Sequence, residues 1–151
     1  MEKNKDFSLL AMLVLIYSTV CMETDIYIPA FPDMRTFFGV TDEQIQKILS
    51  WNFVGICMGS LLFAPLSDSL GRKKPMIVGL GLFCIASWGC VLIKDFDFFL
   101  LTRFAQGIGA AAPMAISFAI ILDKYDAARS AQLCGVLNVF IAGVMAGAPI
   151  L

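Results

Sequence analysis

Apolar and polar positions alternate along this chain in long blocks, with five apolar runs separated by short charged segments. Ile48 to Ser67 is 20 residues without a charge, and Pro75 to Ile93 is another 19. About 20 helical residues rising about 1.5 Å each span about 30 Å, the thickness of a hydrocarbon core. The first run is interrupted by Glu23 and Asp25, the fourth by Arg103, and the fifth has no charge after Arg129. The pattern predicts an all-α membrane protein with helices over about 8–32, 45–67, 75–93, 98–122 and 130–151, after a polar N-terminal segment of residues 1–7. Thr41-Asp42-Glu43-Gln44 predicts a helix start, because Thr41 can cap free N–H groups and the acids suit the positive end of the helix dipole. Lys94-Asp95-Phe96-Asp97 is a short turn that makes the third and fourth helices antiparallel neighbours.

Composition agrees. With 59% hydrophobic and 15% charged residues, the chain is too apolar for a water-soluble domain of 151 residues, so its main partner is a lipid bilayer. Its 11 basic and 12 acidic residues leave a net charge of -1, which excludes a general affinity for nucleic acid. The 5 cysteines lie in apolar runs, and there is no histidine and no Cys-x-x-Cys pair. Free thiols packed among helices are expected, rather than a disulfide framework or a zinc site. With neither a metal-ligand cluster nor a phosphate-binding glycine loop, neither an enzyme nor a cofactor is expected. The first run lacks a small-residue cleavage site and reads as a retained span.

Cations set the orientation. With a cytoplasmic N-terminus, seven (Lys3, Lys5, Arg72, Lys73, Lys74, Lys124 and Arg129) lie inside and three (Arg35, Lys47 and Lys94) outside, the asymmetry expected of a plasma (inner) membrane protein.

A charge within a lipid-crossing segment costs several kcal/mol unless it meets a partner or a wet cavity, so Glu23, Asp25 and Arg103 require explanation. Asp25 lies about seven residues before the outer end of its run and Arg103 about six after the outer start of its own, so both sit roughly 10 Å deep and at a depth to pair. Glu23 is about 200° around the helix from Asp25. Pro29 leaves the Asp25 carbonyl without its usual helical partner. Gln106 and Gly107, at i+3 and i+4, share the face of Arg103. Gly55 and Gly59 form a small-residue face suited to close helix approach. Candidate cavity contacts are Tyr17, Tyr27, Phe31, Trp51, Asn52, Gln106 and Asn138.

Several of these stretches resemble one family. Asp68-x-x-Gly71-Arg72-Lys73 is similar to the loop between helices 2 and 3 of major facilitator transporters, and Pro65-Leu66-Ser67-Asp68 resembles the Bcr/CflA branch of proton-driven drug exporters. Ala64 and Ser69 replace a glycine and a basic residue of that loop. Asp25-Ile26-Tyr27-Ile28-Pro29 resembles the branch's first-helix signature, and Leu101-Thr102-Arg103-Phe104-Ala105-Gln106-Gly107-Ile108-Gly109 its fourth-helix motif. Gly143-Val144-Met145-Ala146-Gly147-Ala148-Pro149 is similar to the antiporter motif of helix 5, with Ala148 inserted before Pro149.

The resemblance implies that Asp25 binds protons or cations with Arg103 as its partner, and that Asp68, Gly71, Arg72 and Asp123 build a charge cluster that switches conformation. Gly107, Gly143, Gly147 and Pro149 would serve helix packing. It implies five helices of an N-terminal half built as a three-plus-three inverted repeat, lacking the sixth. The expected function is export of small amphipathic or cationic compounds, powered by the proton gradient, in company with a missing C-terminal half. Rival readings are transport of a sugar, amino acid or siderophore, and a truncated or non-transporting membrane fragment.

Overall fold

The computed structural model describes the backbone of residues 2–147 and the side chains of residues 8–23 and 25–143. It contains five helices: α1 (Glu2–Phe38), α2 (Asp42–Leu70), α3 (Lys73–Leu92), α4 (Phe96–Lys124) and α5 (Ala127–Gly147), with no strand among the described residues. Among these residues, Ser8–Phe38, Asp42–Leu70, Lys73–Leu92 and Phe96–Lys124 are long and apolar enough to cross a membrane. The helices extend past the apolar runs because their backbone bonds are indifferent to side-chain polarity. At 29 residues, α2 is about 44 Å long and outreaches a hydrocarbon core of about 30 Å.

Local chemistry sets the helix ends. Thr41 caps α2 in a reciprocal box, its hydroxyl accepting from the Gln44 N–H (3.3 Å) while the Gln44 side chain accepts from the Thr41 N–H (3.0 Å). Gly71 ends α2 at φ 81°, a conformation open to glycine because it has no Cβ. Pro75 falls in the first turn of α3, where a missing N–H costs nothing. Asp95 Oδ1 accepts from the N–H groups of Asp97 (3.0 Å) and Phe98 (3.2 Å), which starts α4.

The chain divides into two compact units, Ala30–Ile116 and Met1–Pro29 with Ser117–Leu151. In the first, α2 buries Ile45, Ile48, Asn52, Gly55, Gly59, Phe63 and Ser67, a stripe at i+3 and i+4 spacing. The corresponding stripe of α3 is Pro75, Met76, Gly79, Phe83, Ala86 and Cys90. Both face α4, which is buried at nearly every position from Gly109 to Ile116.

Small residues make these crossings close. A Cβ on Gly55 would run into the Phe104 carbonyl, and one on Gly107 into the Asn52 carbonyl. On the other side of α4, a Cβ on Gly79 would collide with Ala112, and one on Gly109 would lie 2.5 Å from the Phe83 nitrogen. Contacts rise together along α2 and α4, which run parallel, and in opposite order along α3 and α4, which run antiparallel as the short turn requires. The outward faces carry apolar residues such as Leu61 (78% exposed), Ile85 (73%) and Val91 (80%), a surface that suits lipid and would aggregate in water.

The second unit buries Leu13 and Val20 of α1, Ile121 of α4, and Leu133, Leu137 and Ile141 of α5. Tyr17 meets Phe118 edge-on at 5.6 Å, and the Ser130 hydroxyl lies 3.2 and 3.0 Å from the carbonyls of Ile121 and Tyr125. The small-residue face expected of α5 does not form a close crossing at Gly143, where a Cβ would meet nothing within 4 Å. Leu133, Leu137 and Ile141 define the buried side of α5, and Gly143, about 200° beyond Ile141, falls opposite. Gly147 ends α5, and Pro149 lies outside the described residues.

Leucine at Gly107 is expected to destabilise the α2–α4 crossing by about 1–3 kcal/mol or more, since backbone occupies the space it needs. The thermal midpoint in detergent should fall by several degrees. Alanine at Gly81, which faces open space, should leave it unchanged or slightly higher. Equal midpoints for the two variants would show that the crossing tolerates a side chain.

Candidate functional site

The densest polar cluster of the Ala30–Ile116 unit surrounds Arg103, the largest side chain that is fully buried, at 0% exposure. Its Nη1 donates to Gln106 Oε1 at 2.7 Å, one turn further along α4. Gln106 Nε2 donates to Ser87 Oγ of α3 at 2.8 Å, and the Ser87 hydroxyl donates to the Phe83 carbonyl at 2.7 Å. Cys90, one turn along α3, directs its thiol at Thr102 Oγ1 (3.3 Å) and Gln106 Oε1 (3.6 Å). From α2, Asn52 Nδ2 donates to the backbone carbonyl of Arg103 at 3.3 Å. Three helices thus hold one guanidinium and its peptide group. A charged donor gains most from such bonds where water is excluded.

The two membrane acids belong to the other unit, on α1. Both carboxylate oxygens of Glu23 are buried, as is Oδ2 of Asp25, which has no hydrogen-bond partner among the described residues. α1 stays helical through Pro29 and Pro32. Asp68 in the last turn of α2 and Arg72 just beyond it form an i,i+4 ion pair at 2.5 Å, and Arg72 Nη1 also donates to Ser67 Oγ at 2.7 Å. Asp68 is exposed, so the pair adds about 0–1 kcal/mol to stability. Asp123 is exposed near the end of α4, in the unit that contains Asp25.

Residues 13–151 match the family model of the Major Facilitator Superfamily. The chain belongs to that superfamily. It is 37% identical, over 98% of its length, to a chloramphenicol resistance protein of Pseudomonas aeruginosa, covering 37% of that protein. It is 33% identical over 83% of its length to the multidrug resistance protein MdtL of Shewanella oneidensis, and 30% identical over 89% to the MFS-type transporter YdgK of Bacillus subtilis. The chain spans about a third of the length of these curated relatives. As a superfamily member with apolar spanning helices, it is an integral membrane protein.

Arg103 stands in a polar network drawn from three helices. Other candidates are placed differently. Asn52 is 0% exposed at the helix crossing, bonded to the Arg103 carbonyl, rather than on the wall of an open cavity. Trp51 packs edge-on to Phe104 at 5.8 Å and stays partly exposed, Tyr27 and Phe31 are half-buried, and Asn138 is exposed on α5. Cys57 and Cys84, expected among packed helices, lie exposed on apolar outer faces, where a thiol behaves as a small hydrophobe. Ser87 and Cys90 are not among the candidates that the charge pattern singles out, because α3 carries no charge between Pro75 and its end. The signal was present, because Ser87 is the sole hydroxyl between Pro75 and Ile93.

Asn52→Ala separates a clamp from a cavity wall. As a clamp, Asn52 should cost about 1–2 kcal/mol when truncated, read as a lower melting temperature in detergent. A change in drug affinity at unaltered stability would assign it to the cargo site instead.

Proposed function

We propose that this chain forms part of a proton-coupled secondary transporter that exports small amphipathic or cationic compounds by alternating access. The buried Arg103 guanidinium carries the reading: an ionisable group this deep in a spanning helix marks an ion or substrate path more often than a structural need. Relatives named for chloramphenicol and multidrug resistance support a drug-like cargo. The proton gradient is the energy source, no bond of the cargo changes, and the cycle is that of the whole transporter.

Asp25 is the carboxylate that carries the proton in this scheme, with Arg103 as its counter-charge. The support is their matched depth by residue count and the two motifs that contain them. In low dielectric a carboxylate holds its proton tightly and a nearby cation loosens it, so cargo binding and proton release become linked. Glu23 is a second acid for cargo or protons. Asp68, Arg72 and Asp123 form the cytoplasmic charge cluster that braces one state, and the Asp68–Arg72 pair supports half of it. The excess of cations on one set of loops favours an inner-membrane protein with its N-terminus in the cytoplasm.

In proteoliposomes containing the transporter at its native length, Asp25→Asn should reduce drug-driven proton movement to the protein-free baseline, whereas Asp25→Glu should retain exchange with a displaced pH profile. Arg103→Lys should impair exchange as well, because an ammonium cannot reproduce the planar fork of a guanidinium. Wild-type exchange in Asp25→Asn would remove the proposed mechanism.

A further inference from the structure

We propose that Ser87 of α3 is a positioning residue that orients the Arg103 guanidinium through the side-chain amide of Gln106. The inference rests on the reading of Arg103 as part of the coupling machinery, and it assigns a role to a helix that carries no charge between Pro75 and Ile93.

The geometry leaves one sense for the amide. A serine hydroxyl has a single proton, and that of Ser87 goes to the Phe83 carbonyl at 2.7 Å, so its oxygen meets Gln106 as an acceptor. An acceptor attracts the NH2 end of an amide, here at 2.8 Å, and this leaves Oε1 turned to Arg103 Nη1 at 2.7 Å. With alanine at position 87 the NH2 end of the amide loses its acceptor, so that Arg103 Nη1 alone is left to hold Oε1 in place, and in the flipped form the amide N–H groups would point at a guanidinium that has only donors to offer. In that form the buried cation loses its bond to Gln106 and, with it, a fixed position.

The arrangement joins α3 to α4 near the membrane interior, and it works through hydrogen-bond direction rather than bulk. Threonine keeps the hydroxyl and its backbone bond to the carbonyl four residues back, so Ser87→Thr should restore what Ser87→Ala removes.

The test uses the native-length transporter in proteoliposomes, with drug-driven proton movement followed across pH and with melting temperature and membrane abundance measured for each variant. Ser87→Ala should lower exchange about five- to tenfold and displace the pH of half-maximal exchange, at near-normal abundance and melting temperature. Ser87→Thr should bring the pH profile back. A wild-type profile in Ser87→Ala, or an equal loss of exchange and melting temperature in both variants, would overturn the positioning role and leave the reading of Asp25 and Arg103 standing. Full coupled exchange in Arg103→Ala would instead overturn that underlying reading, and the role of Ser87 with it.

Discussion

A guanidinium cannot be stripped of water without replacements for the bonds it loses, and Arg103 is buried completely. Part of the Ala30–Ile116 unit can be understood as the means of supplying one of them, at Nη1, and of fixing the groups around it. Gln106 accepts from the charge, Ser87 fixes Gln106, and Asn52 holds the peptide carbonyl of Arg103 itself. Each contact comes from a different helix or turn, so the network forms only if three helices meet in one register.

The glycines allow that register. Side chains on both helices would hold their axes about 8–10 Å apart, too far for Asn52 to reach a main-chain oxygen of α4. Gly55, Gly59 and Gly107 remove the obstruction on one side of α4, and Gly79 and Gly109 on the other. Close backbone approach and the bond from Asn52 to the Arg103 carbonyl are thus two aspects of one constraint. Lipid contributes no hydrophobic drive between helices, so packing and interhelical bonds of this kind supply the cohesion.

Much of this was legible in the sequence. Uncharged runs near 20 residues give helices, Thr41 and Gln44 show a cap three residues apart, and Gly55 and Gly59 announce a packing face. The stacking of Gln106 on Arg103 follows from helical periodicity alone. Contacts between helices were not legible. Ser87 reaches Gln106 across 19 positions and Asn52 reaches Arg103 across 51, and no local pattern encodes the rotation of α3 and α2 that makes those encounters possible. The face of α5 at Gly143 stays open within this chain for the converse reason. Small residues permit close packing without requiring it, and the bulky Leu133, Leu137 and Ile141 determine which side of that helix turns inward. The acids of α1 were equally plain as anomalies in an apolar run, but their surroundings depend on tertiary structure.

The α2–α4 contact has one more consequence. Gly55 receives the carbonyl of Phe104 while Gly107 receives that of Asn52, so each helix is notched where the other protrudes. Such reciprocal seating acts like a key in a slot. Sliding by one turn, about 5.4 Å, would set the Asn52 carbonyl against the side chain of Arg103 or Ala111 in place of Gly107, even though Gly59 offers the Phe104 carbonyl a second vacancy in one direction. Those two helices are consequently interlocked against shear, and motion during a working cycle is cheaper if it carries them as a single rigid body than if it slips one along the other.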